Sequence, residues 1–159
     1  MSDAIDPEVC IMRFVELLGR LFFAAIFLLS APKDFTQENI NYNYAVNAGV
    51  PVANILVPLA GILALLGGLS IALGLYARIG AALVILFLVP VTLMMHNFWA
   101  YSDPQMHQMQ QINFMKNLSM LGGSMAFAYF GAGPISIDAW ITNHLPHDTV
   151  DHTPVMPAH

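Results

Sequence analysis

Four long apolar runs, separated by polar connections, organise this chain. They extend over about residues 11–31, 52–76, 79–99 and 111–131. Each has roughly the 20 residues that a helix rising 1.5 Å per residue needs to cross about 30 Å of hydrocarbon. The strict alternation of a half-buried strand is absent, so β-structure is not expected. The connections differ in kind. "APKDFTQENINYNYAVNAGVP" is a long polar loop with room for a short interfacial stretch at Tyr42 and Tyr44. "GLYARIG" is a tight turn, so the second and third runs predict an antiparallel hairpin. "AYSDPQMHQMQ" is a loop of medium length. After Gly133-Pro134 the chain turns polar.

Composition sharpens this picture. Hydrophobic residues make up 57% of the 159 residues and charged ones 9%, against roughly 25% charged in a soluble domain. No formal charge occurs between Asn39 and Ala77, and only Asp103 and Lys116 occur between Ile79 and Ile137. The pattern predicts an all-α integral membrane protein. Residues 1–133 form a four-helix bundle, and residues 134–159 a polar C-terminal tail whose last dozen residues read as extended. The net charge of -5 gathers mostly at the two ends. No basic stripe exists to neutralise phosphates, which excludes nucleic acid as a partner. The first run is not a cleavable signal, because acidic residues precede it and Glu16 and Arg20 lie inside it. The lone Cys10 allows no intrachain disulfide.

Four spans place both termini on one side. Arg13, Arg20 and Arg78 belong to that side, and Lys33 and Lys116 to the other, so the positive-inside rule favours cytoplasmic termini by a single charge. Helix packing is expected along Ala60, Ala64, Gly68 and Ala72, a strip of small residues that recurs every fourth position and lets a neighbouring backbone come close.

The polar residues inside the spans are the candidate chemistry. Asn113, Lys116 and Asn117 share one helical face by their i, i+3 and i+4 spacing. His96 and Asn97 end the third span, and Lys33 and Asp34 end the first, on the same membrane side. Together these seven residues outline a polar cluster able to hold a quinone head group, an anion or a lipid phosphate. The plainer alternative is that Lys116 snorkels to head groups while the amides and His96 satisfy one another. Glu16 and Arg20, one turn apart, read as a structural charge pair, or as Arg20 reaching another helix end. Met94, Met95, Met106, Met109 and Met115 crowd His96 and His107, but thioethers are common apolar filler and no tight ligand spacing is present. The tail histidines, His144, His147, His152 and His159, also lack such spacing, and no metal is expected. No nucleotide loop, haem attachment or nucleophile elbow appears, so no catalytic residue is assigned.

The stretches "LGRLFFAAIFLLSAPKDF", "LLGGL…LGLYAR", "HNFW" and "NFMKNLSMLGG" with "GPISID" resemble the DoxX family of small four-helix bacterial membrane proteins, in order from Leu18 to Asp138. The resemblance implies a multi-pass inner-membrane protein with cytoplasmic termini. Some members act as the small subunit of a thiosulfate:quinone oxidoreductase, which makes a quinone a candidate cofactor without identifying one. One departure is Ala64, where many relatives carry a Glu. Three functions are compatible with these features. The first is an accessory subunit of a membrane redox complex, in contact with lipids and other membrane subunits and without a reaction of its own. The second is a quinone-linked oxidoreductase small subunit contributing to a quinol site. The third is a stand-alone small transporter or lipid-binding protein.

Overall fold

The apolar runs are helices, and the polar connections supply their caps. A computed structural model describes residues 7–35 and 40–144. Helix α1 (Pro7–Ser30) ends in a 3-10 turn (Ala31–Phe35). Then come α2 (Ile40–Asn47), α3 (Ala53–Leu73) and α4 (Ala77–Met95), a short 3-10 turn (Phe98–Ala100), α5 (Pro104–Phe130) and α6 (Ile137–His144). No strand occurs among the described residues. The long helices α1, α3, α4 and α5 cover the four apolar runs, and among the described residues two stretches, Ala53–Leu73 and Ala77–Ala100, are long and apolar enough to cross a membrane. In the bundle α1 packs on α3, α3 on α4 and α4 on α5.

Local chemistry fixes the ends. Gly74, at φ 66°, terminates α3: its N–H bonds to the Ile71 carbonyl and the Leu75 N–H to that of Ser70 at 3.1 Å, the left-handed stop that glycine adopts without strain. The Ser70 hydroxyl donates to the Leu75 carbonyl at 2.6 Å. Asp103 caps α5 by accepting the Met106 N–H at 2.8 Å, and Pro104 fills the first turn, where its missing N–H is not needed. Helix α5 thus starts well before the apolar run it contains.

Much apolar surface faces outward. The most apolar 18-residue window of α3, and that of the stretch Ala77–Ala100, both reach a mean hydropathy of 2.3, yet only 28% of each window is buried. Large side chains such as Ile62, Leu66, Leu86 and Leu93 point outward, whereas Arg20, Gln110, Asn117 and Ser124 are buried. Apolar surface facing outward, with the few polar groups of the spans turned inward, is the arrangement that a hydrocarbon solvent favours.

Small residues set the helix distances. Gly68 faces α1, where an added Cβ would lie 3.0 Å from Phe27 Cβ and 3.5 Å from the Ala24 carbonyl. Ala64 is buried, and Ala60 and Ala72 are half-buried. The tighter approach belongs to Gly67, where a Cβ would lie 2.8 Å from the Gly80 carbonyl of α4. Helix α5 meets α1 through side chains: the rings of Phe23 and Phe127 stand 5.1 Å apart, and Phe23 lies over Gly123. The central core is Ala24, Phe27, Ala31, Ala64, Ile71, Ala81, Val84 and Leu88.

The segment after Gly133, read from the sequence as a polar tail, begins with a helix that returns to the bundle. Asp138 of α6 accepts the Tyr76 N–H at 2.9 Å and the Ala77 N–H at 3.3 Å, and its own N–H donates to the Gly74 carbonyl at 2.9 Å. The first turn of α4 is therefore capped by a residue from α6. The last dozen residues, expected to be extended, lie outside the described residues.

Candidate functional site

Two polar centres lie at opposite ends of the bundle. At the end that carries α6, the Arg20 guanidinium donates to the Ala132 carbonyl at 2.5 Å and to the Ile135 carbonyl at 2.7 Å. Its Nε is buried without a partner among the described residues. Glu16 and Asp138 are the carboxylates whose charge acts on it, and Glu16 also lies against Gly133. Both hydrogen bonds of Arg20 go to the chain beyond α5, so this centre fastens the C-terminal segment to α1.

The other centre is built around α2. This helix lies on α3 with Ala45 buried beside Ala53 and Val57, which brings Tyr44 to the end of α4. The Tyr44 hydroxyl donates to the Met95 carbonyl at 2.6 Å, one of the carbonyls that the helix end leaves without an intrahelical partner. The Gln110 amide N–H donates to the Tyr44 oxygen at 2.5 Å, and Gln110 Oε1 lies 2.9 Å from His96 Nδ1. Gln110 is 1% exposed. Burial pushes the Tyr44 phenol up to about 12, the neighbouring Tyr101 adds to this, and the hydrogen bond from Gln110 opposes it.

Beside this network lies a cavity of about 540 Å³. Its walls are apolar, with Phe27, Val57, Leu63, Phe87 and Leu88 among them. Its polar groups include Tyr44, His96 and Asn117. Part of its rim, at Ile26, Leu59 and Leu86, is exposed on the outer surface of the bundle.

The structure brings His96 and Asn117 to one cavity and places Asn97, Asn113 and Lys116 elsewhere. Asn113 is half-buried on α5, and Asn97 is half-buried where it precedes the 3-10 turn. Lys116 is exposed in a shallow groove on α5 with Gln111, Met115 and Ser119. The side chains of Lys33 and Asp34 lie outside the described residues. Among the described residues no three His, Cys, Asp or Glu side chains gather as a metal site. The sequence reading did not single out Gln110, and it took Tyr44 as interfacial only. A usable signal was present: Gln110, Asn117 and Ser124, the buried polar residues of α5, recur every seven positions, the spacing of one helix face.

An outward apolar surface around buried hydrogen-bonded polar groups defines a helical membrane protein with a pocket inside its bundle. The DoxX family model matches residues 15–97, just over half of the chain, and the chain belongs to that family. Over 122 residues it is 25% identical to the inner membrane protein YphA of Escherichia coli (strain K12), a match that covers 77% of this chain and 86% of the relative. No solved structure matches it.

Proposed function

We propose that this DoxX-family membrane protein is a small, non-catalytic subunit of a bacterial inner-membrane redox assembly, and that its own contribution is to hold a lipid-soluble quinone-type molecule in the cavity beside His96. The observation that carries this reading is the cavity: apolar walls, an exposed apolar rim, and polar groups at His96, Asn117 and Tyr44. Its volume falls in the roughly 300–1,000 Å³ range of small-molecule sites, which combine mostly apolar lining with a few placed polar groups. An amphiphile fits such a place. Its head pairs with the imidazole and the amide, and its hydrocarbon chain leaves past Ile26, Leu59 and Leu86 toward lipid. Among the described residues no carboxylate lines this cavity.

The relative YphA is an inner membrane protein, and both termini are assigned to the cytoplasm from the Arg13, Arg20 and Arg78 end of the bundle. The full chain, purified in mild detergent from native membranes, is expected to retain quinone in its lipid extract and to bring cofactor-bearing subunits with it. Asn117→Leu should lower the quinone content several-fold without loss of folded protein. A quinone-free preparation obtained as a lone homo-oligomer would overturn the reading in favour of a stand-alone transporter.

A further inference from the structure

The direction of each hydrogen bond in the His96 network follows from its last member. The Met95 carbonyl can only accept, and it lies 2.6 Å from the Tyr44 oxygen. The single Tyr44 proton therefore points at Met95. The Tyr44 oxygen is left as an acceptor, so Gln110 must present its NH2 group at 2.5 Å rather than its carbonyl. The Gln110 amide cannot turn over without setting two lone pairs against each other. Its Oε1 consequently faces His96, and the proton of the neutral imidazole sits on Nδ1, 2.9 Å away. A neutral ring with its proton on Nδ1 carries a lone pair on Nε2. That nitrogen has no partner among the described residues.

A second observation points into the same space. Asn117 is 9% exposed, borders the cavity, and has no hydrogen bond among the described residues. A buried amide without a partner is unfavourable unless something else fills its hydrogen bonds. The cavity thus offers a fixed acceptor, His96 Nε2, and an amide free to donate or accept.

We infer that the cavity selects a ligand whose head group donates a hydroxyl proton to His96 Nε2, and so holds the quinol form of a quinone in preference to the oxidised form. This rests on the reading of the cavity as a quinone-type site. A quinone has carbonyl oxygens only, and a carbonyl facing Nε2 sets acceptor against acceptor. A quinol donates there and accepts from Asn117. The selection is one of equilibrium binding, and no electron moves. Tyr44 is a positioning residue that acts through Gln110 to fix which imidazole nitrogen carries the proton.

The test uses the full chain in detergent micelles under argon. Equilibrium dialysis compares a benzoquinone bearing one isoprenyl unit with its hydroquinone, kept reduced by excess dithionite. The wild type should bind the hydroquinone tighter by on the order of tenfold, the penalty of one unmade hydrogen bond in a closed site. Tyr44→Phe should retain binding while that ratio falls toward one, because Gln110 is then free to turn. A merely structural role for Tyr44 would weaken both forms alike. His96→Phe should also remove the preference. Equal binding of the two forms by the wild type overturns this inference and leaves the cavity reading standing. Binding of neither form overturns both.

Discussion

Arg20 and Ile135 lie 115 residues apart in the sequence and are joined by a 2.7 Å hydrogen bond from guanidinium to carbonyl. With the companion bond to Ala132, this contact makes one buried cation the clasp between the first helix and the segment that leads into α6. Loss of the cation strands two carbonyls at the bundle end, where water competes poorly. Arg20→Met should destabilise the protein by about 2–4 kcal/mol. Limited proteolysis should cut the variant after Gly133 under conditions that leave the wild type whole. Equal protection of both proteins would show that the clasp does not hold α6.

Asp138 should matter for a helix to which it does not belong. Its carboxylate accepts the Tyr76 and Ala77 N–H groups at the start of α4. Asp138→Ala should lower stability by about 1 kcal/mol, the usual effect of a lost cap. Hydrogen exchange at those two amides should quicken, and an unchanged rate would remove Asp138 as the cap.

Glycines on different helix faces should respond oppositely. A Cβ at Gly67 would lie 2.7 Å from Val84 Cγ2 and 2.8 Å from the Gly80 carbonyl, whereas one at Gly122 meets nothing within 4 Å. Gly67→Ala is expected to cost about 1–3 kcal/mol through forced separation of α3 and α4. Gly122→Ala should be neutral or stabilising by up to about 1 kcal/mol, from helix propensity. Thermal unfolding in detergent ranks the two, and a stabilised Gly67→Ala would refute the close α3–α4 contact.

Tyr44 carries an alkaline stability signature. It lies on α2, outside the four long helices, and its phenol is raised from 10.0 to about 12. A raised folded value means that folding favours the protonated form. The stabilisation is complete below pH 10 and is lost as pH rises from 10 toward 12. The slope of stability over that window should flatten in Tyr44→Phe, and tyrosinate absorbance should show one late-titrating phenol in the wild type only.

Orientation is accessible through the single thiol. Cys10 is exposed near the start of α1, on the end that carries Arg13, Arg20 and Arg78. A membrane-impermeant maleimide added to intact spheroplasts should leave it unlabelled, and the same reagent should label inverted vesicles. Labelling of intact spheroplasts would reverse the assignment.

How the site follows from the sequence depends on the residue. His96 was visible as a polar residue at a span end, and Asn117 as an amide inside one; the structure sets both on one cavity. Lys116 drew attention through its charge, yet a long flexible stem carries that charge outward to the exposed groove on α5. Gln110 attracted none, because it sits in a polar stretch that reads as loop. The cap of Asp103 and Pro104 extends α5 back over that stretch and turns Gln110 inward.

The sequence by itself determined the membrane class, the helical fold and the place of the four long helices, because hydrophobic length and the absence of charge are properties of consecutive residues. The α3–α4 hairpin was equally local, written in the short stretch around Gly74. Only the tertiary structure decided which polar groups meet. Tyr44 reaches Met95 and Gln110, and Arg20 reaches Ile135, across separations along the chain that no periodicity encodes. In a bundle surrounded by hydrocarbon, inward polar groups such as Tyr44, Gln110 and Arg20 find partners on distant parts of the chain. Such pairing depends on how the helices are rotated and placed against one another, and here small residues such as Gly67, Gly68 and Gly80 set that packing.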